Sequence, residues 1–518
     1  MESSNDLFDL IKSLSPSEKR SIRLHTENNR RNDASHYQEI FACIEEMEHW
    51  DAGRLQSQVG SIANLPAAMY QLKQLIYRIL SQRSRRTNPI HQLRDIINHI
   101  DIAYEKGLFR QYLKLIDKAE KLARKYENYP ILLELMRHRR QGMFLRLDRK
   151  TDIEELRNTE QEVLRQIALD SAYVALNNRL QDRLRVKARF RTKKERAELT
   201  GYLSEDLIQS GPQGDSFESR LAYYEVSASI AVALSDWQAA VQHYRRIIAL
   251  WQEYPFFAET RQSQYTQSLS KVIGMYLFLY DAKGYRKALD QLSQLKLKSK
   301  AAQKKQEGRA HYYELLYYMN FGGYDAGKAH IEEYEHWIRE NQNHLSRERE
   351  LNIYHNFTVF FFLHGQCELA WSRLRHIIDY PYTVNRRDII EFARIFEWVL
   401  LKELDAPAEA DFQDLLLGRT RSLQRFLRNK KGDLNALERV VKDHLIGGDP
   451  QKDMTHQPEL LAIARQELEE IMHSEQPSRP PIGGQELLFW LEARQKGIPL
   501  GTLFQEQLAM RLQSEVTQ

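Results

Sequence analysis

The sequence has 518 residues, 42% hydrophobic and 28% charged, a balance that supports a buried core and excludes wholesale disorder. Its 75 basic and 71 acidic residues leave a formal charge of +4, so no polycationic surface exists and an electrostatic partner must be met by a local patch. Twenty-two glycines and 14 prolines are too few for a turn-rich β protein. The two cysteines, Cys43 and Cys367, are far apart and outside any CxxC pair; they support neither a disulfide framework nor a zinc site and read as buried reduced thiols.

The N-terminus, Met1-Glu2-Ser3-Ser4-Asn5-Asp6, is polar and acidic, without the charged-then-apolar pattern of a signal peptide. The strongest apolar stretch, 272–280, spans nine residues, too short to cross a bilayer. A cytoplasmic address without membrane contact is expected by elimination. The first helix start is Ser15-Pro16-Ser17-Glu18. There Ser15 caps, Pro16 suits the first helical position and Glu18 completes a capping box. Several short helices follow and end in an amphipathic run, 65–82, with Leu72, Leu75, Ile76, Ile79 and Leu80 on one face. Residues 1–86 are expected to form a helical cap. A first array of helical hairpins, 87–210, follows it and contains a second capping box at Thr151-Asp152-Ile153-Glu154.

The loop Gly211-Pro212-Gln213-Gly214-Asp215-Ser216 then separates off a second array, 217–445. Here one pattern recurs: a small or turn residue, an aromatic about two positions on, a small residue about five positions on, then apolar residues at helical spacing. Ser235-Asp236-Trp237-Gln238-Ala239-Ala240 leads into Tyr244 and Ile247. Lys283-Gly284-Tyr285-Arg286-Lys287-Ala288 leads into Leu292, and Gly322-Gly323-Tyr324-Asp325-Ala326-Gly327 into Ile331. Gly365-Gln366-Cys367-Glu368-Leu369-Ala370 leads into Leu374, and a weaker instance starts at Gly107. A flexible residue closes one helix, and the small residue lets the next backbone approach.

These residues resemble the tetratricopeptide family over roughly 95–400. The turn and second-helix positions are Ser235/Ala240, Lys283/Ala288, Gly322/Gly327 and Gly365/Ala370. The small-residue anchors are spaced 48, 39 and 43, against about 34 in the family. The resemblance implies an all-α fold: an irregular, right-handed α-solenoid of antiparallel helix pairs. Members that grip acidic peptide C-termini present Lys and Asn from the first helices. The equivalent groove positions here are Glu225 and Ser229, Ile273 and Leu277, and His355 and Val359, so that carboxylate clamp is not implied. The chain also resembles uncharacterised bacterial tetratricopeptide-like proteins, with Leu-Ser-x-Ser-Glu-Lys-Arg at 14–20 and Arg-Ser-x-x-Arg-Phe-Leu at 421–427. That likeness implies no activity. A helix and Pro/Gly linker, 446–484, then tether a C-terminal helical segment, 485–518, with Leu487, Leu488, Trp490 and Leu491.

The strongest charge feature is a basic run on an expected helix, Arg183, Arg185, Lys187, Arg189, Arg191, Lys193, Lys194 and Arg196, against Asp182 and Glu195. Such a stripe meets phosphates by counterion release, meets an acidic partner protein, or is a solvated face compensated by a neighbouring helix. The Glu46/His49 and Glu333/His336 pairs have di-iron spacing, but two further inward glutamates are missing, so no metal is expected. No GxxxxGK[ST], GxGxxG, HExxH or GxSxG occurs, so neither cofactor nor enzymatic activity is expected. Aromatic pairs such as Tyr312-Tyr313 and Tyr317-Tyr318 read mainly as core, with some able to anchor a partner. The sequence therefore points to a protein–protein scaffold with a concave helical-repeat surface. The alternative is a nucleic-acid-binding or regulatory protein using 183–196. Candidate partner contacts are the eight basic residues, His355 in the groove and Trp490 in the C-terminal segment.

Overall fold

Helices begin where the sequence supplies an acceptor for the orphan amides of a first turn. The Ser15–Glu18 capping box forms, with the Ser15 amide on Glu18 Oε2 at 2.7 Å and the Glu18 amide on Ser15 Oγ at 3.4 Å. Asp152 caps the next predicted start, accepting the Glu154 and Glu155 amides at 2.8 and 3.0 Å; Thr151 lies outside the described residues. Asn88, Asn128, Asp281 and Ser346 cap in the same way.

This computed structural model describes residues 2–28, 33–47, 49–60, 62, 64–145, 152–186, 193–203, 205–297, 299–379, 386–404, 410–430, 434–446, 457–473 and 482–516. Every regular element among them is helical. The order opens with α1 (Glu2–Ser13), α2 (Pro16–Asn28), α3 (Asp33–Glu46), α4 (Ala52–Val59), α5 (Leu65–Thr87), α6 (Pro89–Glu105), α7 (Phe109–Lys125) and α8 (Tyr129–Phe144). It continues with α9 (Ile153–Val186), α10 (Lys193–Leu203), α11 (Asp206–Gln209), α12 (Phe217–Ala233), α13 (Trp237–Glu253), α14 (Pro255–Thr260), α15 (Gln262–Phe278), α16 (Ala282–Gln294), α17 (Lys300–Phe321) and α18 (Tyr324–Glu340). It closes with α19 (Arg347–Leu363), α20 (Cys367–Ile378), α21 (Arg387–Glu403), α22 (Ala410–Asn429), α23 (Ala436–Val440), α24 (Pro458–His473), α25 (Gly484–Lys496) and α26 (Leu500–Val516).

The chain forms two compact units. The first comprises Met1–Val174, Gln213–Arg220 and Tyr254–Thr260. Within it, α1 to α5 bury Leu7, Ile11, Ile40, Leu72 and Ile76, and α6 to α9 bury Leu93, Ile100, Tyr112, Ile116 and Leu135. A buried polar knot holds the first turn of α12: Gln166 Nε2 donates to Ser216 Oγ (2.8 Å) and Ser219 Oγ (2.7 Å), and both hydroxyls donate to Asp170 Oδ1.

The second unit comprises Ala175–Pro212, Leu221–Glu253 and Arg261–Gln518. From α15 to α18 and from α19 to α22 each helix packs on the next, and α15, α17, α19 and α21 also touch in succession. A shared turn explains this repetition. Ser235, Tyr280 and Gly365 adopt left-handed φ of 60°, 55° and 72°. In each case the residue's amide bonds three back and the following amide bonds five back, as with Tyr280 to Leu277 and Asp281 to Tyr276. That paired closure is the Schellman motif; Gly107 and Glu127 in the first unit make it too. Gly322 and Gly323, both at positive φ, turn in its place between α17 and α18.

The second repeat is therefore in a different register from the one expected at Lys283. Its turn residue is Tyr280, and the four turns fall at 235, 280, 322 and 365, spaced 45, 42 and 43. Five positions after each turn stand Ala240, Tyr285, Gly327 and Ala370. Tyr285 is fully buried and donates its hydroxyl to the Tyr313 carbonyl at 2.7 Å. A tyrosine thus fills the anchor position that Ala288 was expected to take. At Gly327 an added Cβ would meet Phe360 Cζ at 2.6 Å, so here the small residue does set the approach of the two helices.

The C-terminal helices belong to this core. Leu487, Trp490, Leu491, Leu503, Phe504 and Leu508 join the hydrophobic cluster formed by α17 to α24. Helix α26 crosses the turn edge in reverse order. A Cβ on Gly365 would meet the Gly501 amide nitrogen at 3.3 Å, one on Gly322 would meet Leu508 Cδ2 at 2.8 Å, and Arg511 lies 5.9 Å from the Tyr280 ring centre. Residues 501 and 508 are two helical turns apart, which carries α26 about 10 Å along its axis, the spacing of packed helices.

Candidate functional site

The basic run divides between α9, which ends at Val186, and α10, which begins at Lys193. Arg183 is paired with Glu198 at 2.6 Å, and Arg196 Nη2 donates to the Leu234 carbonyl at 3.4 Å. Lys187, Arg189 and Arg191 lie outside the described residues, and of Arg185, Lys193 and Lys194 only the helical backbone is described. Arg183 is thus compensated by an acid of the adjoining helix.

Trp490 does not face a partner. It is fully buried, donates Nε1 to Glu403 Oε1 at 2.7 Å and sets its edge against Trp398 at 6.0 Å. An apolar helix with a tryptophan serves an interface or a core equally well, and here α25 fills the core. His355 is not a cationic contact. Its partly buried ring meets Phe392 edge-on at 5.8 Å. Burial, with Arg386 acting in the same direction, pushes its imidazole down to about 4, so it is neutral at pH 7. Two other expected groove positions, Ile273 and Val359, are buried; they line the core, and the polar face of these helices lies elsewhere on them.

That face is built by α17, α19 and the residue that enters α21. Asn356 Nδ2 donates to the Tyr312 hydroxyl at 3.2 Å, joining α19 to α17. Arg386 Nη1 donates to Asn352 Oδ1 at 2.7 Å, and its Nε pairs with Asp388 at 2.9 Å. Tyr312 is the centre of the group: burial raises its phenol, while Asn356, Arg349 and Arg386 favour the ionised form. Arg309 stands one turn before Tyr312 on α17 and is partly buried. Burial pushes its guanidinium below the usual arginine range, the charge of Arg349 pushes the same way, and only the Tyr313 phenol opposes them. No carboxylate acts on Arg309, and neither Arg309 nor Arg349 has an ion-pair partner among the described residues.

Two clefts lie elsewhere in the second unit, one on α17 and α18 and one on α13, α15 and α16. One, about 630 Å³, is lined by Glu307, His311, Glu314, Tyr318, His330 and Glu333. Its charges are largely spent: Glu307 pairs with Lys304 and Glu314 with Arg286, each within 2.8 Å. His311 stacks on Tyr334, and burial lowers its basicity. The other cleft, about 500 Å³, is crossed by Arg245, which donates to the Tyr276 hydroxyl at 2.9 Å. Among the described residues no histidine bonds a serine, threonine or cysteine side chain, no three His, Cys, Asp or Glu groups converge on a metal-sized point, and no helix is long and apolar enough to cross a membrane. Both cysteines are buried and unpaired, and burial pushes the Cys367 thiol up to about 12.

No family model matches the chain, and comparison with curated proteins and with solved structures gives no match. The site rests on its own geometry. Sequence reasoning passed over Arg309, Arg349, Asn352 and Arg386. The signal was the spacing of Arg349, Asn352 and Asn356 at i, i+3 and i+7 on α19, a polar stripe on a helix otherwise rich in Phe and Val.

Proposed function

We propose that this chain is a non-enzymatic interaction scaffold: an irregular right-handed solenoid of antiparallel helix pairs, akin to tetratricopeptide arrays, that holds a cytoplasmic protein or peptide partner. The polar face of α17, α19 and the start of α21 is the holding surface. The observation that carries this reading is the bridging of three alternate helices by Tyr312, Asn356, Asn352 and Arg386. Side chains fixed by one another lose less freedom on binding, which is how a preorganised surface gains affinity. The near-regular turns at 235, 280, 322 and 365 support a repeat array, in which each unit adds surface to the last.

The test is recovery of partners on the immobilised full chain, set beside an Arg349→Ala/Asn356→Ala variant of unchanged circular dichroism. We expect a protein retained by the native chain and lost from the variant. A native chain that retains nothing above a blank support overturns the reading.

A further inference from the structure

The cleft of about 630 Å³ on α17 and α18 has a buried oxygen in its wall that no donor meets. Gln306, one of the lining side chains, is 2% exposed. Its Nε2 donates to the Leu292 carbonyl, which fixes the amide, because turning it over would set oxygen against oxygen. Oε1 is left without a hydrogen bond, and a stranded buried acceptor destabilises a fold until something meets it.

The same cleft holds a charge that is also unmet. Two hydrogen bonds tie its helices: His330 Nε2 donates to the His311 carbonyl at 3.0 Å, and the Tyr334 hydroxyl to the Gly308 carbonyl at 2.9 Å. They lay the 330–334 turn of α18 along the 307–311 turn of α17, where Glu307, His311 and Glu333 line the cleft. Of its three carboxylates, Glu307 takes Lys304 at 2.8 Å and Glu314 takes Arg286 at 2.7 Å. Glu333 is exposed and pairs with no cation among the described residues. Burial holds the His311 imidazole below its usual range, so at pH 7 it is mainly neutral and has a nitrogen lone pair to offer.

We infer that this cleft receives a lysine side chain of the partner, its ammonium paired with Glu333 and its other N–H groups given to Gln306 Oε1 and the His311 ring. One carboxylate is left over, and an alkylammonium brings a single charge and three donors on a slender stem. A guanidinium fork is matched by the paired oxygens of one carboxylate. Here the free acceptors stand on two helices, Gln306 and His311 on α17 and Glu333 on α18, an arrangement that suits a point charge with independent donors. Ala310, Ala326 and Ala329 leave room for the stem. The inference rests on the scaffold reading only for the partner that carries the lysine; the cleft is tested without one.

The probe is Nα-acetyl-lysine amide, titrated calorimetrically into the full chain at low ionic strength, with its arginine counterpart, its Nε-trimethyl form and its Nε-acetyl form in parallel. Saturable binding of the lysine probe is expected, with the arginine probe weaker. The trimethyl form keeps the charge without donors and the acetyl form loses the charge; each should bind about tenfold more weakly or worse. Glu333→Gln should weaken the lysine probe about tenfold or more, the loss of one charged hydrogen-bonding partner. Glu333 is exposed and unpaired, so this variant should melt with the native chain, which keeps lost binding distinct from lost folding. Gln306→Met removes the stranded oxygen and should narrow the gap between the lysine and trimethyl probes. Absent binding of the lysine probe, equal binding of any of the other three, or unchanged affinity in Glu333→Gln overturns the inference. If the lysine probe binds as expected while the native chain retains no partner, the scaffold reading fails and the lysine cleft stands.

Discussion

Glycine at 501 is a test of whether α26 is seated on the turn edge as described. Gly501 is the second residue of α26 and helical. In an open helical position Gly→Ala stabilises by about 0.5–1 kcal/mol, because alanine loses less backbone freedom. At 501 a Cβ would instead meet the His364 carbonyl oxygen at 3.0 Å and its carbon at 3.3 Å. Those atoms are backbone at the end of a Schellman turn and cannot swing aside, so the methyl group must lift α26. Overpacking of this kind costs about 1–3 kcal/mol, which exceeds the gain and reverses its sign. Gly418 is the control: it lies inside α22, and nothing within 4 Å would meet its Cβ. Hydrogen exchange read by mass spectrometry resolves the two. Gly501→Ala should speed exchange across α26, by up to about 60-fold for a net cost of up to about 2.5 kcal/mol, while Gly418→Ala should slow exchange across α22. Slower exchange across α26 in Gly501→Ala would refute the close approach.

Three further outcomes follow from the same geometry. His355 should titrate near pH 4 in the folded chain, read by exchange of its ring C2 hydrogen; its stabilising effect is present above about pH 6.5, the unfolded value, and is lost as pH falls towards 4, so His355→Leu should lessen acid sensitivity in that window, and a midpoint near 6.5 would count against it. Trp490→Phe keeps an aromatic ring but strips Glu403 of the indole donor; it should cost about 1.5–3 kcal/mol, seen as faster exchange across α25, and no change would show the bond to be idle. Asp170→Ala leaves the buried Ser216 and Ser219 hydroxyls without their shared acceptor, and should lower the melting temperature by the equivalent of about 1–3 kcal/mol per stranded group, with early loss of protection at the first turn of α12.

Helical periodicity made the all-α class legible, because a buried stripe every three to four residues leaves no strand reading. Capping chemistry made individual starts legible, as at Ser15 and Asp152. The turn register was legible where glycine or a small polar residue marked it, as at Ser235. Gly322 and Gly365 are turn residues, but Gly284 is not. It leaves room for the Tyr276 ring within a helix already under way, and the left-handed residue is Tyr280. A Schellman closure is made by backbone amides, so a tyrosine can take the position, and no side-chain rule finds it. The Pro/Gly run at 477–484 is a sound linker signal and points to a tethered C-terminal segment. An amphipathic stripe says that something covers it, without saying what, and the turn glycines that receive α26 lie more than 130 residues upstream.

The candidate site was hidden for a related reason. A family template put the groove at 355 and 359 on α19, three positions after Asn352 and Asn356; Val359 is buried and His355 neutral. Three residues turn a helix through about 300°, so His355 and Val359 stand about 60° round from Asn352 and Asn356, on the shoulder where the stripe meets the core. What separates the two faces is compensation. In the described part of the basic run, Arg183 is balanced by Glu198. On α17 and α19 the charges are fewer, and neither Arg309 nor Arg349 has an ion-pair partner among the described residues; the charge of Arg349 lowers the basicity of Arg309. Counting cations along a sequence therefore does not by itself rank surfaces, because what a partner can gain depends on the charge left unpaired after the helices have packed.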